Sequence, residues 1–156
     1  EDISDFVEDL RSGGAISVIG EVDQFNITGS TFSQTTGRVA AVNVEAKDHT
    51  ILPADANRIF KIEGSTFSKG HGIEAAAVNF KVEPKETSVE IIDSKFEKNV
   101  HSANLVLEQG KDSKNMQSGT VRIVLNDKGT GKASLKNSKF FDNFGLTTAS
   151  AADVAG

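Results

Sequence analysis

Four short segments obey one template, and that repeat constrains the fold more than any other feature. They read FNITGSTF at 25–32, FKIEGSTF at 60–67, VEIIDSKF at 89–96 and ASLKNSKF at 133–140. Aligned as columns they give an apolar opening residue (Phe25, Phe60, Val89, Ala133), then Ile27, Ile62, Ile91 and Leu135. A turn-former follows (Gly29, Gly64, Asp93, Asn137), then an invariant serine (Ser30, Ser65, Ser94, Ser138) and an invariant phenylalanine (Phe32, Phe67, Phe96, Phe140). The apolar positions alternate with Asn26, Thr28, Lys61 and Glu63, which is the period of a strand buried on one face. Gly, Asp and Asn tolerate left-handed backbone, so each strand is expected to bend sharply before its serine.

The phenylalanine columns lie 35, 29 and 44 residues apart, so the unit is constant and its connections are not. A repeat of this kind buries its apolar face by stacking like on like, roughly 4.8 Å apart. A second half-repeat follows each phenylalanine: GGAISV (13–18), GRVAAVNV (37–44), GIEAAAVNF (72–80), HSANLVL (101–107) and GLTTASA (145–151), each a small-residue start and a short apolar strand. The fold expected is all-β: a single-stranded right-handed parallel β-helix of about four to five coils, over residues 13–151. Loop insertions are expected at 45–58, 81–88 and 105–126, the last as a hairpin of LVLEQ and TVRIVLN. Residues 152–156 read as a C-terminal tail. Ile3, Phe6, Val7 and Leu10 recur at helical spacing, so 1–12 is expected to form a short N-terminal capping helix over one end of the stack.

Composition limits the function. At 156 residues with 37% hydrophobic and 25% charged residues the chain has the make-up of one ordinary domain, and no apolar run reaches the ~20 residues of a membrane span. The net charge of -5, spread along the chain, argues against nucleic acid as a partner. There is no cysteine, which excludes disulfides, thiolate zinc and thiol catalysis. Ten phenylalanines stand with no Trp or Tyr, and Phe lacks a polar handle, so the rings read as core rather than as sugar-stacking or interface platforms. The start at Glu1, with no signal peptide in this chain, reads as a processed product or excised domain of a secreted or cell-surface protein.

The repeat shape over 13–150 resembles the pectin-lyase-like right-handed β-helix superfamily. More narrowly, GGAI at 13–16, FEKN at 96–99 and FFDN at 140–143 resemble the GGAI and FxxN signatures of polymorphic outer membrane proteins and related autotransporter passengers. The asparagine stands three residues after phenylalanine in two of the four copies (Asn99, Asn143), while Thr35 and Gly70 occupy the others. The resemblance implies a surface adhesin.

No catalytic residue is assigned. An enzyme acting on acidic polysaccharide would set carboxylates for calcium and a basic residue on one exposed face. The outward columns Asn26, Lys61, Glu90, Ser134 and Thr28, Glu63, Ile92, Lys136 are instead mixed. His71 and His101, near equivalent corners of adjacent turns, are candidate metal ligands or a pH-sensitive pair, against the plainer reading of two solvated corner residues. Asp48, His49 and Asp55 form a looser acidic group for calcium, the only cofactor considered. Ice binding would need a flat threonine row, and Thr31, Thr66, Lys95, Lys139 breaks it with lysines. The expectation is therefore a non-enzymatic domain for adhesion, binding or scaffolding through its loops, with a protein or glycan partner or self-association through coil ends. A carbohydrate-active lyase or hydrolase is the alternative, and a self-assembling structural protein ranks below it.

Overall fold

The computed structural model describes residues 14–48, 58–84, 86–101, 119–125, 131–145 and 152–155. They form an all-β, parallel structure with no helix among the described residues. The capping helix expected at 1–12 lies outside them.

The template strands β2 (Gln24–Thr28), β6 (Arg58–Glu63), β9 (Thr87–Ile92) and β13 (Lys132–Lys136) pair in that order into one sheet, the Ile sheet. The invariant serine-phenylalanine segments make a second, the Phe sheet: β3 (Thr31–Ser33), β7 (Thr66–Ser68), β10 (Lys95–Glu97) and β14 (Lys139–Phe141). Register follows the template column by column. Phe25 stands opposite Phe60, then Val89 and Ala133. Ile27 meets Ile62, Ile91 and Leu135 in the same way. Phe32, Phe67, Phe96 and Phe140 form one column, with ring centroids 4.9, 5.0 and 4.8 Å apart and nearly parallel planes.

A third, eight-stranded sheet is visited between one copy of the template and the next. It holds β1 (Ile16–Glu21), β4 (Thr36–Val39), β5 (Val42–Lys47), β8 (His71–Val82), β11 (Val100–His101), β12 (Gly119–Val124), β15 (Phe144–Gly145) and β16 (Ala152–Ala155). Val42, Val44, Val78, Phe80, Val121 and Ile123 from this sheet share one buried cluster with Phe60, Ile62, Val89, Ile91, Phe67 and Phe96. Burying a Val, Ile or Phe side chain contributes roughly 1.5–3 kcal/mol each, so this shared interior is the main force holding the three sheets together.

Two bends per copy carry the chain between sheets, and both need left-handed backbone. Gly29, Gly64, Asp93 and Asn137 sit at φ of 57, 57, 50 and 51° at the first bend, as their residue types suggest. Gln34, Lys69, Lys98 and Asp142 do the same at the second, at 56, 54, 55 and 50°. Such backbone costs a non-glycine residue about 1 kcal/mol or more. Hydrogen bonds compensate: the amides of Gln34, Lys69 and Lys98 each donate to the next copy, at Ser68, Glu97 and Phe141 carbonyls, all at 3.0 Å.

Four expectations are corrected. Residues 119–124 are not one arm of a hairpin in a 105–126 insertion. β12 joins the stack, with Val121–Val124 parallel to Val78–Lys81, while LVLEQ and the rest of HSANLVL after His101 lie outside the described residues. Residues 152–155 are not a tail, since β16 pairs with β12 from Val121–Ala152 to Val124–Ala155. The 45–58 insertion is shorter, because Glu45–Lys47 extend β5 and Arg58 opens β6. The 81–88 insertion likewise shrinks to 83–86 between β8 and β9. In each case an amide in the expected loop finds a ladder partner in the neighbouring copy, which satisfies its backbone better than solvent-exposed loop would.

Candidate functional site

The serine column holds the first bend together. Each serine hydroxyl donates to the carbonyl two residues earlier: Ser30 to Thr28 at 3.1 Å, Ser65 to Glu63 at 3.0 Å, Ser94 to Ile92 at 2.9 Å and Ser138 to Lys136 at 3.2 Å. It also accepts from the serine amide of the preceding copy: Ser30 to Ser65 Oγ at 3.2 Å, Ser65 to Ser94 Oγ at 3.2 Å and Ser94 to Ser138 Oγ at 3.3 Å. The hydroxyl thus ties its own bend to the copy before it. The column is structural.

The asparagines of the FxxN segments do the same at the second bend. Asn99 Oδ1 accepts from the Gly70 amide at 2.8 Å, while its Nδ2 donates to the Phe67 carbonyl at 3.1 Å and to Asn143 Oδ1 at 2.9 Å. Asn143 Nδ2 donates to the Phe96 carbonyl at 3.0 Å. A third ladder runs along the eight-stranded sheet, where buried Asn79 donates to Asn43 Oδ1 at 2.7 Å and accepts from Arg122 at 2.9 Å.

The candidate histidine pair is not brought together. Val100 stands opposite His71 and His101 opposite Gly72, and this one-residue offset turns the two rings to opposite faces. His71 is exposed. His101 is fully buried, which corrects the reading of both as solvated corners. It stands opposite Gly145 in the next copy, where a Cβ would fall on the imidazole, so glycine makes room for the ring. Asp48 is exposed just past β5, while His49 and Asp55 lie outside the described residues. Among the described residues no group of three or more His, Cys, Asp or Glu is placed to hold a metal ion. No helix among them is long and apolar enough to cross a membrane.

The outward columns carry paired charges. Lys61 Nζ lies 2.8 Å from Glu63, and Lys95 Nζ lies 2.6 Å from Glu97. Arg38 pairs with Glu74. The Glu63 carboxylate, hydrogen-bonded to Lys61, raises the ammonium's pKa above its ordinary 10.5, with Glu90 adding to the effect. The Lys95 ammonium, hydrogen-bonded to Glu97, lowers that carboxyl below its ordinary 4.5.

A groove of about 420 Å³ opens where the third and fourth copies meet on the outer side of the Phe sheet. Asp93, Ser94, Lys95, Asn137, Lys139 and Phe141 line it. Lys95 and Lys139 are ladder partners, so two ammonium groups share one column. The Lys95 Nζ stands 5.8 Å from the centre of the Phe141 ring, within cation–π reach. Phe141 is 45% exposed and Phe144, across the second bend, 55%. Sequence reasoning placed every phenylalanine in the core and missed both. The signal was the Phe140–Phe141 pair itself: neighbours on a strand face opposite ways, so one of the two must point outward.

No protein-family model matches the chain, and the comparisons with curated proteins and with solved structures likewise find no match.

Proposed function

We propose that the chain is a right-handed parallel β-helix domain, of the kind its repeat resembles, that serves binding or scaffolding at a cell surface or outside the cell rather than catalysis. Four in-register columns and a chain that visits three parallel sheets in fixed order support the coil reading. The right hand follows from the strong general preference of parallel crossover connections. The observation that carries the binding role is the groove that Lys139 and the exposed Phe141 line together, with Lys95 paired to Glu97 and Asp93 beside them. Exposed aromatics on a rigid frame are the usual anchors of recognition surfaces. Their chemistry suits a ligand bearing a carboxylate or sulfate next to an apolar face, in a glycan or a peptide.

The test is binding of acidic glycan and acidic peptide panels to the full chain, alongside Lys139→Glu and Phe141→Ser. Binding that both variants weaken severalfold supports the reading. Binding indifferent to both substitutions contradicts it. Release of unsaturated or reducing-end products from a polysaccharide would replace it with the enzymatic alternative.

A further inference from the structure

The outer face of β2 carries two side chains that the core does not use. Phe25 and Ile27 pack against the shared interior, so their strand neighbours Asn26 and Thr28 point outward. Both are exposed, and the Thr28 hydroxyl donates to Asn26 Oδ1 at 3.3 Å. Among the described residues the Asn26 Nδ2 has no hydrogen-bond partner, so that nitrogen is not held by the fold. Lys61, opposite Asn26 on β6, has its ammonium drawn along its own strand to Glu63 at 2.8 Å and does not cap the amide.

With Ile27 between them, the two residues spell Asn-Ile-Thr. An asparagine followed two residues on by a hydroxyl, with no proline between, is the acceptor triplet for an N-linked glycan. It occurs once in the 156 residues. Asn137 is also exposed, but Lys139 stands where the hydroxyl would have to be. Asn99 and Asn143 are engaged in the ladder of the second bend and lack the hydroxyl as well. Among the described residues β2 pairs with β6 alone, and β6 follows it in the chain. A transferase acting on the emerging chain therefore meets the triplet before the partner strand arrives. Once the strand has paired, an outward Asn26 leaves the glycan in solvent.

We propose that Asn26 is an N-glycosylation site, modified by transfer from a polyprenyl-diphosphate-linked oligosaccharide. A bond forms between Asn26 Nδ2 and C1 of the first sugar. The C1–O bond to the diphosphate breaks, the lipid diphosphate leaves with its electron pair, and one Nδ2 proton passes to a base of the transferase. The inference rests on the reading of this chain as one that acts at the cell surface or outside the cell, and it does not involve the groove.

Expression of the full chain behind a cleavable secretion signal in a eukaryotic host tests this. Cell-associated and secreted protein are weighed by mass spectrometry before and after an amidase that releases N-linked glycans. The expected result is one glycan, whose release converts the asparagine of the 25–32 segment to aspartate. Asn26→Gln and Thr28→Ala should abolish the modification, and Thr28→Ser, which keeps the hydroxyl, should retain it. A wild type that carries no glycan, or a glycan that survives Asn26→Gln or Thr28→Ala, overturns the assignment. A glycan confined to a protease-sensitive fraction, beside a bare protease-resistant one, overturns it too, because the folded stack would then exclude the sugar. The signal is supplied, so these outcomes do not depend on the chain's natural route. A chain that takes the glycan in the host but resides in the cytosol of the cells that naturally make it supports the acceptor site and overturns the extracellular reading.

Discussion

The two central copies and the two outer copies follow the same template and are held very differently. Phe60, Ile62, Phe67, Val89, Ile91 and Phe96 are at most 1% exposed. Of their counterparts, Phe25, Phe32, Ala133, Leu135 and Phe140 are only partly buried and Ile27, at 8%, is more exposed than its column neighbours. A copy on each side deepens the burial that the residue type begins. Stability in such a stack is a sum of neighbour contacts, and an outer copy has one neighbour where a central copy has two.

The comparison breaks most sharply at the phenylalanine column. Phe67→Ala removes a ring stacked on both faces and should cost about 3–5 kcal/mol in chemical denaturation. Phe140→Ala, with one stacked face, should cost about half as much by the same cavity argument. Equal losses would mean that the stack does not end where the ladders do.

The asparagine ladder gives the next largest contrast. Asn99→Ala strands the buried Gly70 amide and the Phe67 carbonyl, for a loss of about 2–3 kcal/mol. Asn143→Ala, partly exposed, should lose about 1 kcal/mol. Gly145→Ala belongs with the larger effect despite its outer position, because the new methyl must displace the buried His101 ring. A thermal melt of each variant ranks them.

Serine is the finer probe. Ser94→Ala removes a buried hydroxyl that both donates to Ile92 and accepts from Ser65, and should lower stability by about 1–2 kcal/mol. Ser30→Ala removes only a partly exposed donor and should change it by less than about 0.5 kcal/mol.

The smallest effect is electrostatic. Glu97 has its carboxyl pKa lowered by Lys95, so the pair's contribution is present above the ordinary carboxylate pKa of 4.5 and is lost as pH falls through the lowered value. Lys61 has its pKa raised by Glu63, so its contribution holds below 10.5 and fades as pH rises beyond that. Both sites are open to solvent and the effects are small. Glu97→Gln should flatten the acid limb of a melting-temperature profile slightly and leave the alkaline limb alone.

How much of this was legible in the sequence follows from what each residue type advertises. The columns were readable because Ser and Phe recur without exception and because Gly29, Gly64, Asp93 and Asn137 announce left-handed backbone. The second bend was not: Gln34, Lys69 and Lys98 are not turn-formers, and their amides are held by hydrogen bonds to the next copy rather than by local preference. TVRIVLN looked like a hairpin arm because sequence reading favours pairing with a near neighbour, whereas its partner Val78–Lys81 lies some forty residues back. His101 looked solvated because its burial depends on Gly145, distant in sequence, which leaves room for the ring. The groove was hidden for a similar reason: Lys95, Lys139 and Phe141 come from two copies and meet only once the register is known.

Amide hydrogen exchange on dilute protein tests the central claim most directly. In-register stacking predicts that the Ser65 and Lys69 amides, each bonded to a following copy, exchange far more slowly than the Ser138 and Asp142 amides, which have no following copy among the described residues. Equal exchange at all four positions, or faster exchange at Ser65 and Lys69, would contradict it.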